Sequence, residues 1–359
     1  MTLDQQSFHL GYHRSLDGLR GVAILLVLYC HSEILSAGGT GFVGVDTFFV
    51  LSGFLITSLL IMEYDGSNDI SLRHFYLRRA LRLLPALLTM LLVFVTIAFL
   101  SDPRRDAIQE VYGALQALFY FTNWAIMFSI GTTSALGHTW SLSLEEQFYL
   151  VWPLLLLFFL KKTDRKSLLC WVLLGMFLSA ATRVLLFMGS SVWAHHSDRM
   201  LVGPDTRADS LLAGCFVGIV VSSNLLPRWN LFIKALKMSA MISIIGLVRI
   251  GCFNPRTPWM MCVGWLLTSV FAAILIIHLV STSHSWIHWV FENPILVYIG
   301  RISYGLYVWH YPILIFMKQH QLPWQNLGYL PPVFVVTLAS YYLIESPCLR
   351  LKGRFARIK

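Results

Sequence analysis

Charge is scarce in this chain. Of its 359 residues, 13% are Asp, Glu, Lys or Arg, where a soluble domain carries about a quarter. That excludes an ordinary water-soluble fold. Cysteine is thin as well: Cys30, Cys170, Cys215, Cys252, Cys262 and Cys348 are scattered, without the paired spacing of a metal site. They read as small apolar packing residues, and no metal is expected. The opening MTLDQQSFHLGYHRSLD lacks the apolar core of a cleaved signal peptide, so the first apolar run is expected to stay as an anchor. There is no Walker-type or dinucleotide glycine loop, and no Gly-x-Ser-x-Gly elbow accompanies Ser141 or Ser143. No internal repeat or low-complexity tract is evident.

What is present is apolar. Hydrophobic residues make up 57% of the chain and the mean hydropathy is +0.66. The apolar runs are continuous, unlike the alternating strands of about ten residues in a membrane β-barrel. An all-α polytopic membrane protein is expected. Spans of about 20 residues fall near 19–35, 42–62, 83–100, 142–160, 168–188, 207–222, 238–252, 259–280, 295–317 and 329–345, about ten transmembrane helices. A further apolar stretch, 108–128, is expected to be a re-entrant or outer-surface helix, because counting it as a span would put Lys161, Lys162, Arg165 and Lys166 outside.

The net charge of +9 does not argue for nucleic acid, since most Lys and Arg lie in short loops. With both termini cytoplasmic, the inner segments hold 18 of the 27, from Arg14 to Lys359, and Arg183, Arg207, Arg249 and Arg301 fall within or at the ends of spans. The outer segments keep only Arg104, Arg105, Arg199, Arg256 and Lys318. That asymmetry favours a multi-pass plasma or inner membrane protein in this orientation. One domain, 1–359, is expected.

Ionisable residues inside a bilayer are costly and mark function. In the first span Arg20 and His31 are eleven positions apart. That is close to three helical turns, so both fall on one face, roughly 16 Å apart along the axis. Histidine is the side chain best poised to take a proton from a hydroxyl near neutral pH. Cys30 points about 100° away and does not share the His31 face.

Arg20, ten residues, then His31, followed by Gly44-Val45-Asp46-Thr47-Phe48-Phe49-Val50-Leu51-Ser52-Gly53-Phe54-Leu55-Ile56-Thr57, resembles acyltransferase family 3 of membrane O-acyltransferases. Three more blocks agree in order: FYLRRALRLLP at Phe75–Pro85, HTWSLSLEEQFYLVWP at His138–Pro153 and GRISYGLYVWHYP at Gly300–Pro312, with a closing Glu-Ser-Pro at Glu345–Pro347. The resemblance covers about 14–347. The extra extracytoplasmic hydrolase-like domain of many members is not expected, as only a short basic tail follows Pro347.

The resemblance implies transfer of an acyl group, most simply acetyl, from cytosolic acyl-CoA to a carbohydrate hydroxyl on the outer side. The acceptor would be a surface polysaccharide, lipopolysaccharide or other glycan. Acyl-CoA is a donor substrate, and no permanently bound cofactor is required. His31 becomes the general base or acyl carrier. Arg20 and the Arg79-x-x-Arg82 pair are expected to hold the phosphate-rich donor, because guanidinium forks suit phosphate oxygens, and Arg301 is expected to add to that site. Asp46 reads either as a helix N-cap or as a catalytic residue that orients His31 or holds the acceptor hydroxyl. His138, Trp140, Ser143 and Glu145 form a polar cluster at the expected outer start of the fourth span. Glu145 and Tyr149 share one face there, like a sugar-binding edge. Glu145 stands with His31 and Asp46 as candidate catalytic groups; His138, Trp140, Ser143 and Tyr149 stand as acceptor-binding groups. His310 ranks below His31. The alternative is a transporter or flippase of a small or lipid-linked solute, but the matching inverted repeats and broken helices of such proteins are not found. Membrane lipid and the two substrates are the expected partners.

Overall fold

The computed structural model of the chain describes residues 11–32, 39–101, 106–131, 135–189, 193–227, 229–282, 285–323 and 327–352. Among these residues every regular element is helical. In chain order they are α1 (Arg14–Cys30), α2 (Gly39–Ser67), α3 (Leu72–Ser101), α4 (Asp106–Leu118), α5 (Thr122–Met127), α6 (Trp140–Lys162), α7 (Arg165–Gly189) and α8 (Trp193–Val202). Then come α9 (Pro204–Ser222), α10 (Asn230–Gly251), α11 (Trp265–Ser281), α12 (Trp286–Phe291), α13 (Pro294–Arg301), α14 (Ser303–Gln319), α15 (Leu330–Ser340) and α16 (Ser346–Lys352).

Among the described residues seven stretches are long and apolar enough to cross a membrane, rather than the ten expected: Gly39–Ser67, Leu72–Leu100, Gly137–Lys162, Arg165–Gly189, Asn230–Gly251, Met260–Ser281 and Leu330–Leu351. The other three expected spans depart for separate reasons. α1 has 17 residues, about 25 Å of helix, short of a typical hydrocarbon core. α9 carries Asp205, Arg207 and Asp209 in its first two turns. The 295–317 run is broken at Ile302 into α13 and α14. The 108–128 stretch is two short helices, α4 and α5, separated at Phe119–Phe121, where Tyr120 takes φ 52°. Neither is long enough to span.

Lipid-facing and interior helices differ in what they expose. α3, α7 and α10 present Leu92, Leu100, Phe177, Leu185, Leu231 and Ile245 outward, as apolar solvent requires. α2 is interior. It packs on α9 so closely that a Cβ built on Gly214 would lie 2.1 Å from the Val50 carbonyl oxygen. Only glycine admits that approach. On its other side, a Cβ on Gly44 would lie 2.5 Å from the Ala23 carbonyl oxygen, and this seats α1 against α2.

The α2–α9 contact also buries charge. Arg207 pairs with Asp46, and Arg183 of α7 donates to Asp209 at 2.8 Å and to the Thr206 carbonyl at 2.5 Å. All four charged side chains are fully buried. The Arg207 guanidinium lies 4.4 Å from the Trp265 ring centre. Buried ions of opposite sign offset one another's desolvation, and removing one leaves the other uncompensated. Asp46 therefore does not cap a helix: it sits two turns inside α2, facing α9, with Ser210 donating to it at 3.2 Å.

Candidate functional site

α1 ends at Cys30, and its last carbonyls need partners from outside the helix. Three side chains supply them, and the first is Ser32, whose hydroxyl donates to the Tyr29 carbonyl at 2.7 Å. Tyr329 donates to the Leu28 carbonyl, and His31 Nδ1 lies 2.9 Å from the Val27 carbonyl. A carbonyl only accepts, so Nδ1 carries the hydrogen and the neutral ring keeps its free lone pair on Nε2. His310 of α14 repeats the arrangement: its Nδ1 sits 2.6 Å from the Tyr307 carbonyl, and its Nε2 is buried without a hydrogen-bond partner. His138 meets the backbone of Val308 without a hydrogen bond of good geometry. The His31 and His310 ring centres are 5.2 Å apart, as are those of His138 and His310, and Tyr311 is within 5.3 Å of both His31 and His138. These rings, with Cys30, Phe42 and Trp140, line a cavity of about 260 Å³. Among the described residues no three His, Cys, Asp or Glu side chains are grouped to hold a metal ion.

A second cavity, of about 430 Å³, lies toward the N-terminal end of α1. Arg20, Arg78, Arg79 and Arg82 line it, with Ser52, Glu63, Glu145, Glu146, Tyr149 and Tyr304. Most of the charge is internally matched. Arg78 is 3.4 Å from Glu63, and Arg79 is 3.6 Å from Glu146 and 3.9 Å from Glu145, its guanidinium 3.4 Å over the Tyr149 ring. Ser52 and Tyr149 both donate to Glu145. Arg20 is held by Asp17 at 3.7 Å. Among the described residues no carboxylate is within 4 Å of Arg82, which leaves its fork open to the cavity. The two cavities share Val45 and Tyr307 in their walls.

Comparison with known proteins identifies the family. The model of the acyltransferase domain of this family matches residues 13–345. The chain belongs to acyltransferase family 3. Among curated relatives, a peptidoglycan O-acetyltransferase (OatA) of Listeria monocytogenes is 33% identical over 357 residues, covering 94% of this chain and 56% of its own length. A putative O-acetyltransferase of Staphylococcus aureus is 33% identical over 355 residues, 94% of this chain and 57% of its own. A putative peptidoglycan O-acetyltransferase (YrhL) of Bacillus subtilis is 35% identical over 375 residues, 96% and 56%. The chain thus spans a little over half the length of these relatives. No solved structure matches it. Family and apolar helices together make it an integral membrane protein.

The residues expected from the family motifs separate into three groups. Arg20, Arg79 and Arg82 do meet, in the larger cavity. His31, His138 and Trp140 meet in the smaller one. Glu145 and Tyr149, expected beside His138, instead face Arg79 in the larger cavity, about two and three helical turns past His138. The polar cluster at the start of α6 is therefore divided. Ser143 is fully buried and donates to the Thr139 carbonyl at 3.1 Å, lining neither cavity. Arg301 also stands apart: its side chain is half exposed, bonded to Tyr12 at 2.7 Å, with Asp17 at 3.9 Å. Asp46 is taken up by Arg207 and Ser210. Glu345 of the closing motif accepts from Ser340 at 3.3 Å.

Sequence reasoning ranked His310 low and gave no role to Tyr307 or Ser52. The signal for His310 is its i, i+3 spacing from Tyr307 in α14.

Proposed function

We propose that this acyltransferase-family chain transfers an acyl group, acetyl by preference, from acyl-CoA to a hydroxyl of a glycan. The observation that carries this reading is the meeting of an arginine cavity and a histidine cavity along α1, with Val45 and Tyr307 common to both. The relatives' names support an O-acetyl product on peptidoglycan or a similar glycan. The open fork of Arg82, with Arg20 and Arg79, suits the phosphates of coenzyme A. The pantetheine arm is about as long as the roughly 16 Å between Arg20 and His31 on their helix. It extends the thioester toward the imidazoles while the nucleotide stays at the arginines.

The acceptor enters from the histidine side. Its hydroxyl oxygen attacks the thioester carbon as His31 Nε2 takes the proton. The C–S bond then breaks, and the coenzyme A sulfur leaves and recovers the proton from the imidazolium. The Val27 carbonyl on Nδ1 fixes the tautomer and stabilises the transient positive ring. The basic inner loops support cytoplasmic termini and a cytosolic donor. Membranes supplied with radiolabelled acetyl-CoA and soluble peptidoglycan fragments test the reading. Labelled ester on the glycan with stoichiometric free coenzyme A is expected. Solute uptake with no coenzyme A released would contradict it and favour a transporter.

A further inference from the structure

Tyr307 lines both cavities. One side of its ring meets the histidines, with ring centres 5.6 Å from His138 and 5.4 Å from His310. Its hydroxyl donates to the His138 carbonyl at 2.8 Å and accepts from Ser141 at 2.5 Å. Ser141 lines the arginine cavity, and Val45 of α2 lines both cavities with Tyr307. The phenol is thus pinned by two hydrogen bonds, and among the described residues Tyr307 and Val45 are the ones common to the two cavity walls. A β-branched side chain on one wall and an aromatic ring on the other pass a small flat group and obstruct a flexible chain.

We propose that Tyr307, held by Ser141 and opposed by Val45, is the neck that sets which acyl groups pass from the arginine cavity to His31. It admits acetyl and rejects longer chains. This rests on the reading that a thioester enters from the arginine cavity. In that reading Tyr307 is a specificity-determining residue that carries no proton or acyl group itself.

Two measurements test it. The first compares acetyl-CoA with butyryl-CoA as donors. In Tyr307→Ala the ratio of butyryl to acetyl kcat/KM rises by about tenfold or more, the discrimination that one or two methylenes carry in a tight apolar site. Val45→Ala, a milder change on the opposite wall, shifts the ratio the same way. Tyr307→Phe keeps the ring and keeps the acetyl preference. An equal fall for both donors in Tyr307→Ala and Val45→Ala overturns the neck, because a merely structural residue lowers both alike.

The second needs no activity. Cys30 lines the histidine cavity and serves as the only cysteine in a variant with the other five replaced. An anionic, membrane-impermeant methanethiosulfonate is applied in sealed vesicles from the arginine-cavity face. It leaves Cys30 unmodified with Tyr307 present and modifies it in Tyr307→Ala. Equal modification from that face with and without Tyr307 overturns the proposal. If the parent transfers acyl from no thioester, the donor reading fails, and the cysteine labelling still decides the neck.

Discussion

At the scale of single residues, His31 bears the proposed proton transfer, and His31→Ala is expected to lower transfer by about 10²–10⁴-fold while the protein still inserts and purifies. Activity within twofold of the parent would remove His31 from the mechanism. Arg82 has no carboxylate partner among the described residues, so its fork is available for phosphate. Arg82→Lys keeps the charge and loses the bidentate geometry. The KM for acyl-CoA should rise by about tenfold, the scale of one charge-assisted hydrogen bond, with the acceptor KM unchanged. Glu145 contacts Arg79. The effect of Glu145→Gln is therefore expected in donor kinetics, and an effect confined to the acceptor KM would return Glu145 to the histidine side.

Much of this was readable from sequence because it is local. Arg20 and His31 lie on one helix, and Arg79 and Arg82 are one turn apart, so helical period alone aligns them. The convergence of His31, His138 and His310 was not readable. Those residues come from the C-terminal cap of α1, the turn before α6 and α14, far apart in the chain, and no periodicity within one helix reports which segments will meet.

At the scale of elements, α9 illustrates how an interior helix escapes a hydropathy argument. Its first turns carry Asp205, Arg207 and Asp209, and its surface is met by α2, α7 and α11 rather than by lipid. Apolarity is demanded of a helix only where it faces hydrocarbon. Nothing within one helix identifies Asp46 as the partner of Arg207, since the pair is 161 positions apart. Arg207→Met would strand the Asp46 carboxylate. A destabilisation of about 3–5 kcal/mol is expected, read as a loss of thermal stability in detergent. The double change Asp46→Asn with Arg207→Met should recover part of it. If the single change left the unfolding temperature where it was, the quartet would not hold α2 to α9. The break at Ile302 has a similar lesson. It divides one apolar run into α13 and α14, leaving Arg301 at the surface while Tyr304, Tyr307 and His310 turn inward.

At the scale of the whole molecule, the two cavities lie toward opposite ends of α1, and the account holds that donor and acceptor approach from opposite faces of the membrane. In the proposed orientation, with the basic loops inside, the arginine end faces the cytoplasm. The most direct test uses the purified protein in sealed vesicles of known orientation. Radiolabelled acetyl-CoA is supplied only on the arginine-cavity face, and soluble peptidoglycan fragments are enclosed on the other. The account predicts labelled ester on the enclosed glycan, abolished by His31→Ala. Transfer that occurs only when both substrates share one face would contradict it.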